Sequence, residues 1–224
     1  MAAAPDTTPL DPSAALWSAA PGERGDRPLL VLLHGYGADE RDLFALAPLL
    51  PPEFVVAAPR APLAPPWPSP GHSWYPIDGL DGRDPALVTA AARGVLEWVD
   101  AAASGSPVGL LGFSQGAAVA LQALRLAPER IGFVVNLSGY VAPGDLPGDD
   151  DLAHRRPPVF WGRGTADDVI PEALVLHTTQ WLPARVELSG RVYPGLTHSI
   201  SQPELDDVNV FLRKRLEDGT AAAG

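Results

Sequence analysis

One hydroxyl in this chain stands in a setting built for nucleophilic attack. Gly112-Phe113-Ser114-Gln115-Gly116 lies where an apolar run ends and a helical pattern begins. A turn that tight needs glycine two residues before and two after the serine, and it lifts Ser114 to the carboxyl edge of a sheet. With no cysteine in the chain there is no thiol nucleophile, no disulfide framework and no thiolate metal site. A serine hydroxyl stays protonated at neutral pH, so it requires a base, and that base requires an orienting acid. On a strand–turn–helix scaffold both follow the serine in chain order. Of the five histidines, His34 and His72 precede Ser114, His154 lies in a charged stretch and His177 falls inside a helical pattern. His198 remains, in the loop Tyr193-Pro194-Gly195-Leu196-Thr197-His198-Ser199.

The acid is expected after the apolar run Pro158-Val159-Phe160-Trp161, where Asp167 and Asp168 stand side by side. Spacing alone leaves both open, and either carboxylate could instead cap the helix that Pro171 opens. Acyl transfer also needs donors aimed at the developing oxyanion. Gln115 N–H follows the nucleophile directly. Tyr36 N–H lies in His34-Gly35-Tyr36-Gly37, whose two glycines let the backbone approach closely. His34 reads as a residue that orders this loop.

These residues need a rigid frame. Residues 29–33, 54–58, 108–113, 131–137 and 158–161 are continuous apolar runs, the mark of strands buried on both faces. Residues 185–193 read as a late strand and 14–20 as an edge strand. Helical patterns fall at 41–50, 85–103, 115–126, 171–182 and 203–216, several with start signals such as Asp39 and Asp84. Alternating strands and helices predict an α/β fold with a mostly parallel central sheet and helices on both faces. Residues 1–13, rich in Ala, Pro and Thr, read as a mobile tail, with a single domain over 14–224. The proline-dense segment 59–84, holding Trp67, Trp74 and Tyr75, reads as a wall of the site.

Composition narrows the partners. A net charge of -11 repels phosphate backbones and anionic lipid surfaces. No stretch approaches the roughly 20 apolar residues a bilayer span needs. The expectation is a cytoplasmic protein that acts on a small molecule, with no nucleic-acid partner, no stable membrane insertion and no cofactor or metal. The sequence leaves a homodimer open.

Taken together, Leu33-His34-Gly35-Tyr36-Gly37-Ala38-Asp39, Gly112-Phe113-Ser114-Gln115-Gly116-Ala117, Gly164-Thr165-Ala166-Asp167-Asp168-Val169-Ile170-Pro171 and Gly195-Leu196-Thr197-His198 resemble the phospholipase/carboxylesterase family, which includes the acyl-protein thioesterases. The likeness covers residues 28–216. It implies an α/β-hydrolase fold, with 138–156 too short for a large lid domain. It implies Asp167 as the acid, because the family's Gly-x-x-Asp-x-x-Val-Pro sequence falls there. It also implies Trp74 and Tyr75 beside the acyl pocket. Arg163 departs from a common histidine and Tyr36 from a common leucine, which weakens any transfer of substrate preference. The function implied is a serine carboxylic-ester hydrolase acting through an acyl-enzyme on short to medium acyl esters, with thioesters or lysophospholipids as further substrates. A binding protein on the same scaffold and an amide hydrolase with the same three residues are the competing readings.

Overall fold

The computed structural model describes residues 7–66, 68–77, 83–103 and 107–222. Seven strands form one sheet: β1 (Leu16–Trp17), β2 (Leu29–Leu33), β3 (Val55–Ala58), β4 (Val108–Phe113), β5 (Ile131–Leu137), β6 (Pro158–Gly164) and β7 (Glu187–Tyr193). Their order is β1-β3-β2-β4-β5-β6-β7. Only β1 runs antiparallel, pairing Leu16 with Ala58 and Trp17 with Ala57. Among the described residues six α-helices accompany it: α1 (Glu40–Phe44), α2 (Pro85–Ala102), α3 (Gln115–Leu126), α4 (Asp149–Arg155), α5 (Glu172–Arg185) and α6 (Gln202–Ala222).

The unbroken apolar runs are explained by burial on both faces. In β2, Leu29, Val31 and Leu33 join a core that takes in Val88 and Trp98 of α2, Leu121 of α3 and Trp181 of α5. Leu30 and Leu32 face the opposite core, with Leu43 of α1 and Leu205, Val208 and Phe211 of α6. Each such leucine contributes about 2 kcal/mol by leaving water. A strand sandwiched this way has no polar face, hence no alternation.

Several boundaries differ from the sequence reading. The helix expected at 41–50 stops at Phe44, and a separate 3-10 turn covers Ala47–Leu49. The predicted edge strand at 14–20 shrinks to two residues. Within 138–156, expected to be too short for a large lid domain, the chain forms the seven-residue α4. Leu10, placed in the expected tail, is buried in the core, and Asp11 caps the 3-10 turn at Pro12–Ala14 through Ser13 N–H. Burial of that one leucine anchors the segment ahead of the expected boundary. Residues 1–6 of that tail, and Trp67, lie outside the described residues. Among the described residues no helix is long and apolar enough to cross a membrane.

Candidate active site

Ser114 sits between β4 and α3 with φ 53 and ψ -113, a backbone conformation that costs a non-glycine residue energy and that tertiary contacts must hold. The flanking glycines have separate reasons. A Cβ on Gly116 would strike the Leu33 carbonyl of β2, and one on Gly112 would strike the backbone of Ala117. The turn is therefore packed against the neighbouring strand and against its own helix. Ser114 N–H donates to Leu137 O at 2.9 Å, which ties the turn to β5.

The structure brings Ser114, His198 and Asp167 together from three loops. Nε2 of His198 lies 2.8 Å from Ser114 Oγ, and its Nδ1 lies 2.8 Å from Asp167 Oδ2. With the proton on Nδ1, the ring donates to the carboxylate and its Nε2 accepts from the hydroxyl. The other carboxylate oxygen, Oδ1, accepts the Val169 and Ile170 amides at 3.0 and 3.3 Å. Asp167 is thus oriented by its own turn before it meets the histidine. The Phe113 ring packs 4.9 Å from the imidazole, closing its other side. Asp168, which spacing could not separate from Asp167, is exposed, and it is Asp167 that His198 Nδ1 meets.

Tyr36 and Gln115 line the same cleft as Ser114 and His198. Neither backbone amide donates to another described residue, so both are available to an incoming oxygen. The loop that carries Tyr36 is held by His34. Its Nε2 accepts Ala61 N–H at 3.1 Å, so Nδ1 carries the proton and donates to Gly35 O at 2.8 Å. Burial keeps the His34 pKa below its usual range even though the Gly35 carbonyl pulls it upward, which fits a neutral structural imidazole.

The aromatic pair divides. Tyr75 lines the cleft, but Trp74 does not. The Trp74 indole is buried; its Nε1–H donates to His34 O at 2.8 Å, and its ring lies tilted against the His34 ring, with centroids 5.3 Å apart. Its expected place beside the acyl pocket is corrected to a place behind the Tyr36 loop, because that carbonyl captures the indole N–H. Gln115 binds the same segment, accepting Trp74 N–H at 2.9 Å and donating to Tyr75 O at 2.7 Å. Residues that sequence reading missed complete the cleft. Ile77, Arg83, Phe113, Tyr140, Val169 and Ile170 line a cavity of about 300 Å³ with the groups above. They come from four separated segments, and only their shared opening marks them.

A parallel sheet with β1 alone reversed, helices on both faces and a strained serine between strand and helix define the α/β-hydrolase fold. The chain belongs to the phospholipase/carboxylesterase family, whose model matches residues 18–216. It is 37% identical to an acyl-protein thioesterase 1 of Saccharomyces cerevisiae over 47% of this chain and 48% of that one, so it spans about half the length of that relative. It is 30% identical to a probable carboxylesterase of Oryza sativa subsp. japonica, over 86% of this chain and 79% of that one. The crystal structure of esterase PE8 superposes with a TM-score of 0.73 at 28% identity, covering 92% of this chain and 99% of that one.

Proposed function

We propose that the chain is a serine hydrolase of carboxylic esters, acting on short to medium acyl groups and extending to thioesters. The observation that carries this is the unbroken relay Ser114–His198–Asp167, with both links at 2.8 Å, opening on a cleft that also holds two amides without acceptors. The names of the relatives, carboxylesterase and acyl-protein thioesterase, support the ester and thioester classes. A cavity of about 300 Å³ with largely apolar walls suits a modest acyl chain.

In this mechanism Ser114 Oγ attacks the carbonyl carbon while His198 Nε2 takes its proton. Tyr36 and Gln115 N–H donate to the resulting oxyanion. Collapse expels the alcohol or thiol, which leaves with the proton from His198, and the acyl group stays on Ser114. Water then attacks, its proton passing to the same nitrogen, and His198 returns that proton to Ser114 Oγ as the ester bond breaks and the free acid departs. Asp167 accepts Nδ1–H throughout and stabilises the imidazolium. The substrate partner is a dissolved small molecule. A cytoplasmic setting belongs to the same reading; among the described residues no helix is long and apolar enough to cross a membrane.

Hydrolysis of p-nitrophenyl acetate by wild type and Ser114→Ala tests the proposal. The variant should lose activity by about a thousandfold or more, and a fluorophosphonate probe should label only the wild type. Comparable rates in the two proteins would remove the mechanism.

A further inference from the structure

The loop that leaves β5 presses on the Ser114 turn and carries a hydroxyl that the proposed mechanism does not use. Ser138 has φ 49, one of three non-glycine residues among those described that take the left-handed region; Ser114 is another. Glycine would hold that conformation at no steric cost, whereas a serine needs its surroundings to enforce it. Ser138 N–H donates to Gly162 O of β6 at 2.9 Å, and Gly139 N–H to Asn136 Oδ1 at 2.9 Å. A Cβ on Gly139 would run into the Ala117 side chain of α3 and lie 3.1 Å from Ser114 O. Ser138 is 2% exposed, and its Oγ makes no hydrogen bond to a described residue. A buried hydroxyl forfeits its hydration unless a partner replaces the water it lost.

Ser138 lines a small cavity of about 20 Å³ that it shares with Asp167. Gly139 and Gly164 bring backbone into its wall, and Ile170 and Val175 bring apolar side chains. Arg163 completes it, with its guanidinium carbon 5.8 Å from the Trp161 ring centroid. One water needs about 10–15 Å³ of such space and two or more polar partners. Both partners are present. An ionised carboxylate accepts at about four positions, and Asp167 fills three of them, with His198 Nδ1–H and the Val169 and Ile170 amides. The fourth belongs to Oδ2, the oxygen that meets His198.

We propose that Ser138 is a positioning residue for Asp167, acting through one water in this cavity that accepts from Ser138 Oγ–H and donates to Asp167 Oδ2. The proposal rests on the esterase reading, in which that oxygen keeps its alignment on Nδ1–H while the imidazole gains and loses a proton. The Val169 and Ile170 amides fix only Oδ1. With the water in place the carboxylate is held at both oxygens, and the strained backbone at residue 138 is what aims the hydroxyl.

Three measurements test this. A crystal structure that resolves ordered water should show one within about 2.5–3.0 Å of both Ser138 Oγ and Asp167 Oδ2. Ser138→Ala removes the hydroxyl and keeps the Cβ, while Ser138→Gly also relieves the positive φ, so a loss shared by both cannot come from backbone strain. On p-nitrophenyl acetate each variant should lower kcat about tenfold and leave KM within about twofold, as expected for a hydrogen bond to a charged group that acts on the relay and not on substrate binding. In proton NMR the His198 Nδ1–H resonance, drawn downfield by its bond to Asp167, should move upfield or broaden in both variants. An unchanged kcat in either variant, an unmoved resonance, or the lack of a water that reaches both atoms overturns the role of Ser138 and leaves the esterase intact. A wild type that hydrolyses no ester overturns the esterase reading and this role with it.

Discussion

The helices that lead away from Ser114 and from His198 are anchored by buried acids in opposite electrostatic states. α3 starts at the Ser114 turn, and near its end Arg125 is 1% exposed. Arg125 meets Asp149 of α4 through two bonds of 2.8 Å, and it also donates to Ala142 O, Gly144 O and Gln122 Oε1. α6 starts just after His198, and its Glu204 is fully buried with no partner for either carboxyl oxygen among the described residues. The carboxyl lies over Gly162 of β6, where a Cβ would run into it. Burial raises the Asp149 pKa, but the Arg125 bonds, Leu146 N–H and the nearby positive charges outweigh it, and the net shift is downward. For Glu204 burial, aided by the Asp207 carboxylate and only partly opposed by Ser201, lifts the pKa to about 7. A buried acid keeps its charge only when partners replace the lost water. The helix after Ser114 is therefore pinned by an ion pair, and the helix after His198 by a carboxyl that holds its proton up to neutrality.

The largest break in this contrast should come from Asp149→Asn. It leaves the Arg125 guanidinium buried without its counter-charge and should cost about 3–5 kcal/mol in urea unfolding. A loss under 1 kcal/mol would show that the pair is not what holds α4 to α3.

Glu204→Gln should act on pH dependence. Below pH 4.5 both folded and unfolded Glu204 are protonated, so the group has no effect. Between 4.5 and about 7 only the unfolded state ionises, and wild-type stability falls. The variant escapes that loss, so its stability relative to wild type should rise by about 3 kcal/mol from pH 4 to pH 8. A difference that stays flat across that range would mean that Glu204 is not held neutral. Asp149 has the reverse sign: its contribution is present above pH 3.8 and disappears as pH falls through its lowered value.

The smallest effect belongs to the pair Asp151–Arg155 on the surface of α4, at 2.7 Å but about half exposed on each side. Asp151→Asn should cost no more than about 0.5 kcal/mol. Equal costs at Asp149 and Asp151 would break the distinction between buried and exposed pairing altogether.

Much of this arrangement was legible in the chain, for local reasons. Ser114 announced itself because its turn tolerates only glycine on either side. Five of the strands were visible because burial on both faces removes the alternation that would blur them. His198 followed from chain order. Other features had no local signal. α4 was not among the expected helices because Asp149, Asp150 and Asp151 look solvated, whereas Asp149 is ordered by Arg125, 24 residues away. Leu10 looked like tail because one leucine among prolines and threonines carries no period. Trp74 was expected at the pocket because an aromatic pair has no visible direction; the His34 carbonyl turned it away.

What the amino-acid order determined by itself is the kind of chemistry and the frame that carries it, since steric demands of a turn and hydrophobic runs act over a few residues. What only the folded chain decided is how His198 meets a carboxylate 31 residues away, which aromatic walls the cleft, and which buried acid keeps its proton. Those depend on distances between residues far apart in sequence, and on the water that packing excludes from between them.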